Sequence, residues 1–107
     1  MLRENRLSTT KNNELTNFLK ELKKGYPAFN GANEVTINTH TTDKGDYPIH
    51  YAVIQNKKLV VEQILKSGMD VNVLGEDDCT PLDYAILHEH KDLTEYLKLK
   101  GGRANRL

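Results

Sequence analysis

Tyr47-Pro-Ile-His-Tyr-Ala52 and Thr80-Pro-Leu-Asp-Tyr-Ala85 decide the fold, because thirty-three residues separate them position for position. The same step carries Glu62 to Glu95, Gly68 to Gly101 and Asn72 to Asn105. A fixed period of this length is the signature of a stacked array, in which each unit is one supersecondary element that buries its apolar face against its neighbours.

Within each copy the residues read as a turn, a short helix, a tight break and a second helix. Gly45-Asp46 supplies the first turn. Pro48 suits the first helical position, where its missing N–H costs nothing and its fixed φ already fits. The first helix runs from Ile49 to Gln55, and Asn56-Lys57 breaks it, Asn being a residue that tolerates the left-handed conformation. Leu59 to Lys66 makes the second helix, closed by Gly68 as a C-cap glycine.

The two openings resemble the T-P-L-H-x-A motif of the ankyrin-repeat family, and the resemblance covers about residues 43–105. Met69-Asp-Val-Asn72 is similar to the family's G-A-D-x-N segment. The second copy departs from the pattern at Asp78, where a turn glycine is usual, and at Asp83, where His50 stands in the first copy. The resemblance implies an all-α solenoid that binds another protein. It also implies that His50 ties neighbouring hairpins together and that His90, after the helix break, is structural.

Composition narrows the rest. A chain of 107 residues is one domain, expected to bury roughly 60–70% of its unfolded surface. Fifteen basic and fifteen acidic residues balance, so no overall field points to nucleic acid or to an anionic membrane. No apolar run reaches a membrane span, and the polar start Met1-Leu-Arg-Glu-Asn-Arg6 does not read as a signal peptide. Cys79 is the single cysteine and forms no internal disulfide, which suits a reduced, cytoplasmic protein. His88-Glu89-His90 is not a helical metal pair, because residues two apart point to different sides of a helix. With no phosphate loop, nucleophile elbow or paired carboxylates, neither catalysis nor a cofactor or metal is expected.

Differences between the copies mark the ends of the array. Leu59, Val61 and Leu65 become Asp92, Thr94 and Lys98, an apolar-to-polar change expected of a terminal repeat that faces water. Residues 75–107 are therefore a C-terminal cap repeat behind the repeat at 43–74. Leu15, Phe18, Leu19 and Leu22 recur at helical spacing up to Gly25. Residues 1–25 accordingly read as a degenerate N-terminal repeat, with a first helix over 3–10 and a second after it. Ten extra residues lie between this unit and the first clear repeat, and the alternation Val35-Thr-Ile-Asn-Thr39 predicts an extended hairpin in the insertion at 26–42.

Mapped through the resemblance, the partner-binding positions are Asp43, Lys44, Asp46, Ile54 and Gln55, then Glu76, Asp77, Cys79, Leu87 and His88. Asp78 joins them in the turn glycine's place. Acidic fingertips beside apolar Ile54 and Leu87 suit a basic protein partner. A small capped array is similar to ankyrin-type immunity proteins, which implies a monomer that neutralises a basic, nuclease-like toxin. The alternative is a scaffold or adaptor subunit, or a regulator, of a cytoplasmic complex.

Overall fold

In the computed structural model, residues 2–26, 29, 34–41 and 45–107 are described, with side chains from Glu14 onward. The chain order is α1 (Leu2–Gly25), α2 (Pro48–Ile54), α3 (Lys58–Lys66), α4 (Pro81–Leu87) and α5 (Lys91–Leu99), with a short 3₁₀ turn at Glu76–Asp78. No strand occurs among the described residues. Helices α2 and α4 pack side by side as an inner layer, each against its own outer partner, α3 or α5, and α1 packs on α3.

The two repeats use the same local bonds one period apart. Lys57 N–H donates to the Ala52 carbonyl at 2.8 Å, and His90 N–H donates to the Ala85 carbonyl at 3.0 Å. Each break needs a left-handed residue, supplied by Asn56 (φ 59°) and Glu89 (φ 58°). Glu is a poorer choice than Asn there. What holds it is the bond from the His90 side chain to the carbonyl of Ile54 in the preceding repeat, at 3.0 Å. At the N-terminus of α4, Thr80 and Asp83 form a reciprocal capping box: Asp83 Oδ2 accepts from Thr80 N–H at 2.8 Å, and Thr80 Oγ1 accepts from Asp83 N–H at 3.2 Å.

One apolar core runs through the array. Phe18 and Leu22 of α1, Val60, Val61 and Ile64 of α3, Ile49, Ala52 and Val53 of α2, and Leu82, Ala85, Leu93 and Leu97 of α4 and α5 are all buried in it. The second helices of the two repeats differ in exposure. Val61 is fully buried and Leu65 half-buried, whereas Asp92 and Lys98 are exposed and Thr94 is half-buried. Leu59 departs from this scheme, being 38% exposed.

Two expectations about the N-terminal third are corrected. Residues 2–25 form one continuous helix rather than two, because no glycine or proline before Gly25 interrupts it. The alternating segment at 35–39 is a turn, not an extended hairpin. Thr39 N–H bonds to the Thr36 carbonyl at 3.1 Å, and the two threonine hydroxyls accept from Asn38 N–H and Thr36 N–H at 3.3 and 3.0 Å. Such local side-chain bonds compete with a strand ladder. Of the insertion's described residues, Phe29 and Val35 are buried and Ile37 lies against the core; residues 27, 28, 30–33 and 42 lie outside the described ones.

Candidate functional site

The repeats are joined at the fingertips by a buried polar network. Asp46 Oδ1 accepts from the Glu76 backbone N–H at 2.8 Å and from the Tyr84 hydroxyl at 2.9 Å. His50 Nδ1 accepts from Tyr47 N–H at 2.8 Å, so that nitrogen carries no proton. Its Nε2 therefore donates to the Val73 carbonyl at 3.0 Å, which makes His50 the neutral Nε2–H tautomer. Burial lowers the His50 pKa below the ordinary histidine value, outweighing the Val73 carbonyl and the Asp46 carboxylate that favour the cation. Burial likewise pushes the Tyr84 phenol far up, with its bond to Asp46 adding to the effect.

Gly75 is what permits this close approach. A Cβ there would meet Asp46 Oδ1 and would lie 2.9 and 3.0 Å from the His50 ring. Both neighbours are fixed by hydrogen bonds, so neither can give way.

Asp46 is thus corrected from a fingertip contact to an interior acceptor. It is 5% exposed, and its partners lie 30 and 38 residues away in sequence, out of reach of any local pattern. Asp43 and Lys44 lie outside the described residues. The remaining acidic tip comprises half-buried Glu76 with exposed Asp77 and Asp78. Both aspartates are left-handed, at φ 57° and 60°. Cys79 follows, half-buried; burial foremost, then Asp83 and Asp77, push its thiol up, with Arg106 opposing them.

The inner helices carry the other positions. Leu87 is 60% exposed, Ile54 is half-buried, and Gln55 and His88 are exposed. At 1.5 Å per residue, seven-residue α4 is about 10 Å long. The acidic tip before its start and Leu87 at its end therefore fall within one partner's footprint. The His88 ring stacks on His90 at 5.9 Å, and His90 already bonds to Ile54. Among the described residues no three His, Cys, Asp or Glu side chains are grouped to hold a metal ion. Among the described residues no helix is long and apolar enough to cross a membrane.

Two residues missed in the sequence widen the surface. Tyr26, from the insertion, lies 4.7 Å from Tyr51 between ring centroids, and Gln55 Nε2 donates to the Tyr26 hydroxyl at 3.1 Å. Tyr51 recurs one period later as Tyr84, and that signal was readable, but nothing in the sequence placed Tyr26 against it.

The chain aligns with several known proteins. It is 34% identical over 73 residues to alpha-latrotoxin-Lt1a of Latrodectus tredecimguttatus, covering 68% of this chain and 5% of that protein. A fowlpox virus (strain NVSL) protein named for its ankyrin repeats, FPV223, is 36% identical over 63 residues, covering 59% of this chain and 45% of its own length. The mouse ankyrin repeat and IBR domain-containing protein 1 is 39% identical over 51 residues, covering 48% of this chain and 5% of that protein. The chain spans less than half the length of each of these relatives. Ankyrin repeats are generally non-enzymatic modules that bind other proteins. Residues 8–106 match the ankyrin-repeat family as three copies of the repeat, and the chain belongs to that family.

Proposed function

We propose that this chain is a non-catalytic module that inhibits a basic partner protein by covering it. The observation that supports the reading is that Asp77 and Asp78, before the start of α4, are exposed and Leu87, at its end, is 60% exposed. An apolar contact flanked by carboxylates suits a basic partner with a central anchor. The finer reading is neutralisation of a basic, nuclease-like toxin in the cytoplasm by a monomer that needs no metal or nucleotide. A stable complex calls for about 800 Å² of interface on each partner. Tyr26 and Gln55 extend the surface toward that area.

Capture of the partner from the native cell, followed by rapid-mixing kinetics, tests the proposal. Reversing Glu76, Asp77 and Asp78 to lysine should slow association at low salt and leave the fold intact, since rim charges act mainly on the on-rate. An unchanged association rate would reduce these residues to solvated turns. Co-expression with a toxin encoded nearby then tests the finer reading: protection should require a stoichiometric amount of this protein.

A second reading, an adaptor within a larger assembly, is favoured by the length of the relatives, two of which match over only 5% of their sequence. An adaptor's partner keeps its activity when bound, whereas an inhibitor's loses it.

A further inference from the structure

At the position where α2 carries His50, α4 carries Asp83; both accept from the backbone three residues before, but the exchange reverses the bond to the segment that follows the second helix. His50 donates to the Val73 carbonyl. An ionised carboxylate has no proton to give. Asp83 instead collects backbone N–H groups, from Thr80 at 2.8 Å, Asn105 at 2.9 Å, and Arg106 and Leu107 at 3.1 Å. It is 1% exposed. Burial pushes this carboxyl up, but the donated N–H groups outweigh it and hold it below the usual carboxylate range.

The same segment is tied elsewhere. Thr80 Oγ1 donates to the Arg103 carbonyl at 2.6 Å, and Arg103 N–H donates to Asn72 Oδ1 at 2.8 Å. Asn105 Nδ2 then donates to the Asp78 carbonyl at 2.7 Å. That last bond falls where the backbone most needs fixing. Asp77 and Asp78 are consecutive left-handed residues without a glycine between them, a conformation that persists only when its surroundings over-determine it.

We propose that residues 103–107 form a strap that sets the conformation of the acidic fingertip, with Asp83 as its anchor and Asn105 as its tie. Residues 105–107 bond to Asp83 of α4 where Val73 bonds to His50 of α2. The strap rests on the binding reading only for its consequence, which is that it positions Asp77 and Asp78 for a partner.

Asn105→Ala removes the tie and leaves the anchor. Cys79, next to the fingertip and half-buried, serves as reporter through its rate of reaction with an aromatic disulfide reagent. Amide exchange at residues 77–79 is the second readout. Loss of one exposed hydrogen bond should accelerate both by about 2- to 10-fold, while exchange in α2 and α3 and the thermal midpoint stay unchanged. Asp83→Ala should accelerate them further. Should that variant unfold α4, whose N-terminus Asp83 also caps, the Asn105→Ala comparison still decides. Unchanged rates at residues 77–79, or equal acceleration through the whole chain, would overturn the strap. If the fingertip loosens but a captured partner associates as fast as before, the strap stands and the binding reading fails.

Discussion

Single residues set the pH response of this fold. His50, held below the ordinary histidine value, binds fewer protons folded than unfolded. Its contribution is complete above about pH 6.5 and is lost as pH falls from there through the folded pKa. Asp83, also depressed, contributes above about pH 4 and loses that contribution as pH falls through its own folded value. Urea unfolding measured from pH 8 to pH 3 should show a decline beginning near neutrality and a further one in acid. His50→Gln should flatten the first and Asp83→Asn the second. Strain offers a separate prediction. Asp78→Gly relieves a left-handed aspartate, so it should stabilise the chain by roughly 0.5–1 kcal/mol in the same assay and slow association with a basic partner. A destabilised variant would show that the carboxylate is itself held by the fold.

Among the helices, burial predicts which truncations matter. Ile64 is fully buried between α1 and the inner layer, and Ile64→Ala should cost about 2–5 kcal/mol. Lys98 occupies the exposed face of α5, where a cleft of about 340 Å³ lined by Ile86, Glu89, Lys91, Thr94, Glu95 and Lys98 faces water. Lys98→Ala should shift stability by about 0.5 kcal/mol or less. Leu65, half-buried, should fall between the two. Comparable losses from Ile64→Ala and Lys98→Ala, read from urea midpoints, would show that α5 is not a cap. The helices of both repeats were legible because proline, the left-handed break and the closing glycine each act locally. The segment before them was not. A continuous α1 follows from what the stretch lacks, and the turn at residues 36–39 arises from threonine hydroxyls that outcompete an alternating pattern. Asp46 was misread for the opposite reason: a charge that looks exposed locally is interior once Glu76 and Tyr84 arrive from the next unit.

Taken as a molecule, the array is joined between neighbours by bonds that recur at one period. Tyr51 stands where Tyr84 reaches back to Asp46, and Gly68 stands where Gly101 accepts from Asn72. That correspondence gives the chain a direction of growth. A second copy of residues 46–78 inserted after Asp78 would meet ready-made partners on both sides, losing only the imidazole that Lys57 cannot supply in place of His90. A second copy of residues 79–107 would find Asp83 unable to donate to the carbonyl ahead of it, and would lay its apolar side on Asp92 and Lys98. The first lengthened chain should therefore unfold cooperatively with a steeper urea dependence, in proportion to the added buried surface. The second should keep the slope of the parent and carry a floppy appendage. The array should accept a further copy of residues 46–78 and not one of residues 79–107.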